Sequence, residues 1–390
     1  MNTPAARPPV RRTPLVLAVL ILIAVIGFAI VSRLVTRLKA NEKQIGWHAF
    51  EAGLTQANAG HPEQALDDFR TALIYDPDNS NYQLSLARAL RETGRLDESK
   101  SYLLHLWNAT PQDSTINLAL ARLEARRGSV DDAVRYYHSA IYGAWTTDPD
   151  QKRRQARLEL IEFLLQKNAL PQAQAELMAL AQVLPPDASQ RLTVADLFAR
   201  AQDYRTALAQ FQLALKMDAK NIAALRGAGE AAIHLGRYQT AQRYLQLAVH
   251  LEPDDQQAHQ QLQIATLVLS TDPFLRRIPD AERNRRLAVA FRKAGDRLKA
   301  CAQSANIQLP GSRDATAQNG SDNLSSLWMR WQAARPQLKR LNSPNNSDLP
   351  DTLMDLILQI EQQTAQRCGE PSGIDLALLL ISRDREAVDR

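Results

Sequence analysis

The amino-acid sequence predicts an all-α fold in which helical pairs stack into a superhelix, an α-solenoid, between an apolar N-terminal helix and a small helical C-terminal domain. Two observations predict this class. Small and large residues recur at a spacing of about 34 residues, and each recurrence joins two segments of helical periodicity. Ahead of these segments, residues 15–31 contain no polar side chain, which predicts a helix long enough to cross a membrane.

The clearest of the recurring units runs from Ala223 to Pro253 and reads as two helices joined at Gly236. A small residue is needed where two helix backbones cross closely, and a large one where a hole between helices must be filled. The first helix has two small residues at mid-length, and the second has a small, large, small stripe at i, i+4 and i+7. These residues are Ala228, Gly229, Ala241, Leu245 and Ala248.

The same residue types recur when this unit is shifted upstream, which predicts six units in one register. The small position of the second helix is occupied by Ala65, Ser99, Ala133, Ala173, Ala207 and Ala241. The large position is occupied by Phe69, Leu103, Tyr137, Leu177, Phe211 and Leu245. The turn carries Gly60, Gly94, Gly128, Asn168, Gln202 and Gly236. One step is wider, 40 residues from position 133 to position 173, which predicts a longer loop near Trp145.

In these positions the units resemble tetratricopeptide repeats. The resemblance implies a superhelix whose inner face is lined by the first helix of each unit. It also implies that the protein holds a partner protein or peptide in that groove. We therefore expect an interaction scaffold without enzymatic activity, of the membrane-anchored bacterial type.

The chain divides into four predicted segments, because the repeat register begins after the apolar helix and ends near Thr271. The segments are a basic N-terminal tail (1–13), a transmembrane anchor (14–38), six repeats with a capping helix (41–271) and a helical C-terminal domain (272–390). Within the last of these, residues 310–323 read as a polar linker. Residues 374–381 read as a buried closing helix or strand.

The apolar segment has two interpretations. Seventeen helical residues cover about 25 Å, and continuing from Leu15 to Leu38 spans a bilayer with ease. A cleaved signal peptide is the other interpretation. Arginine and lysine residues flank the segment on both sides in similar numbers, so the positive-inside rule hardly favours one orientation over the other. We expect a single-pass protein of the bacterial inner membrane whose body is periplasmic rather than cytoplasmic.

The resemblance places the groove-facing positions one residue beyond the small residue in the middle of each first helix. Arginines in the second and third units are followed by acids in the next three. This order predicts a polarised groove that orients a partner of opposite polarity; the other interpretation is solvated surface charge. The candidate residues are Leu54, Arg88, Arg91, Arg122, Arg126, Glu162, Asp196 and Glu230. Arg88 and Arg122 are suited to bind a carboxylate, although the asparagine that some family members use is missing.

No catalytic or cofactor motif is present in the sequence. The seven histidines lack the paired spacing of a zinc helix, and no glycine-rich phosphate loop occurs. Two cysteines exclude a multi-thiolate metal site. We therefore expect no cofactor and no metal.

The C-terminal domain leaves several alternatives open. The basic stretch 272–304 has three interpretations. In order of preference they are a solvated helix face, a surface that contacts anionic lipid and a surface that binds nucleic acid. We do not expect nucleic acid as a partner. Cys301 and Cys368 are a possible disulfide if the body is extracytoplasmic, and thiols otherwise. Trp328 and Trp331 are expected either to pack in the core of this domain or to line a ligand pocket. An alternative function is therefore regulatory or ligand-binding, seated in this domain, with the repeats used for targeting.

Overall fold

The computed structural model describes residues 13–310, 323–341 and 348–388. Its regular elements are helical over these ranges, which confirms the predicted all-α class. The helices are α1 (Thr13–Asn58), α2 (Pro62–Tyr75), α3 (Ser80–Glu92), α4 (Leu96–Ala109), α5 (Ser114–Arg127), α6 (Val130–Tyr142), α7 (Pro149–Gln166), α8 (Leu170–Gln182), α9 (Ala188–Arg200), α10 (Tyr204–Met217), α11 (Ile222–His234), α12 (Tyr238–Leu251), α13 (Gln256–Thr271), α14 (Asp280–Ser304), α15 (Asn323–Ala334), α16 (Leu349–Cys368) and α17 (Gly373–Val388). A short 3₁₀-helix, Arg335–Arg340, follows α15.

The chain forms two compact units, residues 1–166 and residues 167–390. Unit one contains α1 to α7, and unit two contains α8 to α17. The predicted division into four segments stays a prediction. Two of its parts, the basic tail up to residue 12 and most of the polar linker, at 311–322, lie outside the described residues.

The first helices of the repeated pairs begin at capping residues that recur in phase. Each capping side chain accepts a hydrogen bond from a backbone N–H two or three residues further on, which satisfies a donor that the first turn leaves free. The caps are Asn79, Asp113, Asp187, Asn221 and Asp255. The turns inside the pairs are equally regular, because all six of their turn residues have a left-handed backbone. Asn168 and Gln202 adopt this conformation where the other units use glycine.

The small and large positions of the second helices are buried throughout, as the repeat register predicts. All six small residues, from Ala65 to Ala241, are inaccessible to solvent. In the second repeat this position is Ser99, and its hydroxyl donates to the Ala87 carbonyl at 2.7 Å. Gly229 shows why the facing helix needs a small residue, since a β-carbon there would collide with the Leu245 side chain. The pairs therefore pack by fitting a large side chain against a nearly bare backbone.

Replacing Ala133 with leucine is expected to lower the free energy of unfolding by about 1–3 kcal/mol, because extra methylene groups overpack a filled crossing. Ala133 is fully buried on α6. Chemical unfolding followed by circular dichroism measures the change. The control is Ala109→Leu, an exposed site at the end of α4. Equal stability of the two variants would show that the repeat register is misassigned.

Helix α1 is 46 residues long and has two parts of different composition and exposure. Its N-terminal half is apolar and exposed, with a window of mean hydropathy 2.7, and by length and composition it is the one described helix able to cross a membrane. Its C-terminal part packs in unit one, where the Phe50 ring stacks on Tyr82 with centroids 4.7 Å apart. A continuous helix therefore joins the apolar segment to the first helical pair.

The C-terminal helices pack around α14 and α16. The buried face of α14 includes Leu287, Phe291 and Leu298. Residues 374–381 belong to helix α17, which resolves the predicted choice between helix and strand. Part of the basic surface of α14 is neutralised by the helix itself, since Arg285 and Arg286 both pair with Glu282. Their hydrogen bonds lower the pKa of Glu282 to about 2.

Candidate functional site

The strongest cluster of the predicted groove residues lies in unit one, on the first helices of its pairs. Leu54 lies on α1, Arg88 and Arg91 on α3, and Arg122 and Arg126 on α5. Leu54 is exposed, and the Arg88, Arg91 and Arg122 side chains are half-buried. The structure thus brings four predicted arginines onto two neighbouring helices.

Arg122 is engaged by a carboxylate that the sequence analysis did not single out. Its Nε and Nη2 atoms donate to the two oxygens of Glu159 on α7, at 2.8 and 2.6 Å. These hydrogen bonds raise the pKa of Arg122. Glu159 lies three residues before the predicted Glu162, on the same helix face. That spacing was the available signal, but the wider repeat step at this junction obscured the pair.

Arg91 and Arg126 share a second carboxylate, Glu92. Arg91 Nη2 lies 2.6 Å from Glu92 Oε1, and Arg126 Nη1 lies 3.0 Å from Oε2. Burial alone would raise the pKa of Glu92, but the hydrogen bonds from the two arginines lower it. Glu92 and Arg126 are 34 residues apart, so they occupy the same position in successive pairs.

Arg88 differs from its three neighbours. Its Nε is buried without a hydrogen-bond partner, and no carboxylate of the described residues pairs with its guanidinium. Burial lowers the pKa of Arg88, and the positive charges of Arg122 and Arg91 lower it further. A half-buried guanidinium beside two other arginines is costly without a partner anion of its own.

A tyrosine hydroxyl joins this cluster from the second helix of the third pair. Burial raises the pKa of Tyr137 to about 12, and the Glu159 carboxylate contributes in the same direction. Arg122 and Arg91 act in the opposite direction. The Tyr137 hydroxyl therefore stays protonated at neutral pH and offers a hydrogen-bond donor beside the arginines.

The tetratricopeptide repeat family matches the chain over residues 57–123 and 198–263. These segments are tetratricopeptide repeats. No curated protein sequence matches the chain. Among solved structures, PilF of Pseudomonas aeruginosa is 17% identical with a TM-score of 0.39, over 56% of this chain and 97% of that one. PilW, described as a type IV pilus biogenesis factor, is 18% identical with a TM-score of 0.40, over 56% and 98%. A repeat protein of Cytophaga hutchinsonii is 12% identical with a TM-score of 0.45, over 61% and 93%.

Unit two carries the predicted acids Asp196 and Glu230. Asp196 is exposed on α9, and Glu230 is half-buried on α11. Burial raises the pKa of Tyr204, and Glu230 contributes to the same shift. Glu162, the remaining acid, lies at the end of unit one on α7. The predicted order of charge along a single groove stays a prediction, because the residues belong to two separate units.

Behind the repeats of unit two, the C-terminal helices hold the two cysteines together. Cys301 of α14 and Cys368 of α16 form a disulfide, with their α-carbons 5.8 Å apart. Arg297 supports the same corner by donating to the Gly369 carbonyl at 2.7 Å. The pairing joins the ends of two helices that pack side by side.

The two C-terminal tryptophans pack as part of the helical core. Trp331 stacks on Phe291 with ring centroids 5.2 Å apart, and its indole N–H donates to the Phe291 carbonyl at 2.9 Å. The Trp328 indole N–H donates to the Pro310 carbonyl at 3.2 Å. Over the part of the chain that the structure describes, no group of three metal-ligating side chains comes together.

Proposed function

We propose that the chain is a membrane-anchored scaffold of the bacterial cell envelope that holds a protein or peptide partner through its tetratricopeptide repeats. The partner places a carboxylate on Arg88. The observation that carries this proposal is the contrast within the arginine cluster: Arg91, Arg122 and Arg126 have carboxylate partners, whereas Arg88 has none among the described residues. The proposed role is binding and positioning.

The chemistry of the cluster favours a carboxylate as the group that binds. A guanidinium presents a planar fork of donors that matches the two carboxylate oxygens. Hydrogen bonds to charged groups contribute about 1.5–3 kcal/mol each. The protonated Tyr137 hydroxyl adds a hydrogen-bond donor nearby.

The Arg88→Gln variant is expected to bind an acidic peptide at least about tenfold more weakly, because it removes the unpaired charge. The probes are peptides in pairs that differ only in glutamate against glutamine, measured on the full chain in lipid nanodiscs. Wild-type protein should favour the acidic member of a pair, and the Arg88 variant should not. Thermal stability should not fall, since the variant removes a half-buried cation that has no carboxylate partner.

The matched control for this experiment is Arg126→Gln, which changes an exposed arginine paired with Glu92 on the same face. It should retain most of the preference for acidic peptides. An Arg88 variant that keeps the full preference would rule out this arginine as the carboxylate site. Protease accessibility of the body in intact and opened cells tests the anchor and the side of the membrane.

A further inference from the structure

The C-terminal part of α1 carries two large apolar side chains that remain exposed. Trp47 is 49% exposed, and Leu54 is 38% exposed. They are seven residues apart, which is about two helical turns, so they lie on one face of the helix. We call this pair of residues the apolar strip. Single exposed apolar residues are common on protein surfaces, whereas exposed apolar residues that share a face mark an interaction surface.

The apolar strip borders α3, the helix that carries Arg88. Phe50 lies between Trp47 and Leu54 in the sequence, and its ring stacks on Tyr82 of α3. The Trp47 ring lies beside this contact, with its centroid 5.7 Å from that of Phe50. Leu54 and Arg88 are 34 residues apart, so they hold the same position in successive first helices. Because packed helices lie about 8–10 Å apart, the strip and Arg88 are neighbours on this surface.

The charge changes sign between these two helices. Glu51 is exposed on α1, and in the sequence it lies between the two residues of the apolar strip. Its carboxylate disfavours a second carboxylate over α1. On α3, Arg88 has no carboxylate partner among the described residues. A segment with one acidic and one apolar side chain therefore binds best with its acid over α3 and its apolar group over α1.

The apolar strip lies too far along α1 for the bilayer to cover it. If the apolar half of α1 crosses a membrane, as proposed, that half ends at Leu38. At a rise of 1.5 Å per residue, Trp47 lies about 13 Å beyond this end and Leu54 about 24 Å beyond it. The headgroup region adds only about 5–8 Å on each side of the hydrocarbon core. The strip is therefore left for a protein partner.

We propose that the partner segment held by Arg88 is amphipathic, and that it places an aliphatic or aromatic side chain on the apolar strip. This inference rests on the proposed function, which supplies the carboxylate at Arg88. In an extended segment, residues two to four positions apart are separated by about 7–13 Å, which spans the distance between neighbouring first helices. The recognised motif is therefore one acidic and one large apolar residue at that spacing. The apolar side chain adds affinity, and the two contacts together fix the orientation of the segment.

Selection from a random dodecapeptide library displayed on phage tests this inference. The bait is the full chain in lipid nanodiscs, and empty nanodiscs remove phage that bind lipid. Wild-type protein should enrich peptides with an acidic and a large apolar residue two to four positions apart. Leu54→Ser should still enrich acidic peptides but without the apolar residue at that spacing. Arg88→Gln should lose the acidic preference.

One synthetic peptide enriched by the wild type gives the size of the effect. In fluorescence anisotropy, Leu54→Ser and Trp47→Ser should each bind it at least about tenfold more weakly, because each removes an apolar contact with the peptide. Ile74→Ser is the matched control, since Ile74 is an exposed apolar residue at the end of α2. It should bind the peptide as the wild type does. Leu54→Ser should also melt at the wild-type temperature, because its side chain is exposed.

The outcomes separate this inference from the proposed function. Enrichment of acidic peptides without an apolar preference overturns the inference and leaves the carboxylate site at Arg88 intact. Enrichment without an acidic preference overturns both. Brominated lipids that quench the fluorescence of Trp47, measured as the difference between wild type and Trp47→Phe, would place this ring in the bilayer. A dimer that Leu54→Ser dissociates would assign the strip to a second copy of the chain. Either of these two results also overturns the inference.

Discussion

Replacing Glu361 with glutamine should stabilise the C-terminal helices increasingly as the pH rises from 5 to 9. Glu361 is fully buried on α16, and Arg297 Nε lies 3.4 Å from its Oε2. Burial raises the pKa of Glu361 to about 8, Asp375 contributes in the same direction, and Arg297 opposes both. The folded protein therefore keeps this carboxyl protonated near neutral pH.

The sign of the effect follows from proton linkage. The folded state holds the proton more tightly than the unfolded state, so the stability from this group is complete below the unfolded pKa and is lost as pH rises through the folded pKa. The full shift corresponds to a loss on the order of 5 kcal/mol in wild type. Glutamine does not ionise and escapes this loss.

Hydrogen exchange of the α16 backbone amides, corrected for the intrinsic pH dependence of exchange, measures the difference between the two proteins. The gap in opening free energy should widen towards pH 9 and nearly close at pH 5. Glu370→Gln, which changes an exposed carboxylate paired with Arg383, is the control and should show no such widening. A constant gap across the pH range would mean that Glu361 is ionised throughout.

Removing the bridge between Cys301 and Cys368 should cost about 4 kcal/mol of C-terminal stability, because the closed loop spans 67 residues and its opening restores chain entropy to the unfolded state. Chemical unfolding of Cys301→Ala/Cys368→Ala against wild type measures the loss. Reduced wild-type protein is the matched control and should behave as the double variant does. A double variant as stable as the oxidised wild type would contradict this expectation.

The same cysteines report the compartment. Maleimide trapping of denatured protein from cells should find both thiols blocked by the bridge if the body is extracytoplasmic. Two reactive thiols in that experiment would place the body in the cytoplasm and contradict the proposed periplasmic location.

The repeat packing was predictable because its signals are local and periodic. Each large residue meets a small one within the same pair, so the positions of Ala133 and Gly229 follow from spacing alone. The partner of Arg122 was not predictable in this way. Arg122 and Glu159 are 37 residues apart, which is not the repeat spacing of 34, because the third and fourth pairs are joined by a longer connection. A search at the repeat spacing therefore misses this ion pair.

The contact between α12 and α17 could not be predicted, for a different reason. The residues that make it, Tyr238 and Asp384, are separated by 146 residues in the sequence. The C-terminal helices do not follow the repeat, so nothing in their pattern indicates which of their residues meet α12. Burial and unpaired polar atoms, such as Ser382 Oγ, become visible only once the chain is folded.

If the apolar half of α1 crosses a membrane, as proposed, this continuous helix fixes the orientation of the cluster formed by Arg88, Arg91, Arg122 and Arg126 relative to the bilayer. Its apolar half and the first helix of the repeats form one rod without a flexible joint. Each residue inserted between Leu38 and Gly46 would rotate the attached face by about 100° and lift it by about 1.5 Å. The number of residues in that stretch would thus set how a bound partner is rotated about the membrane normal relative to neighbouring proteins.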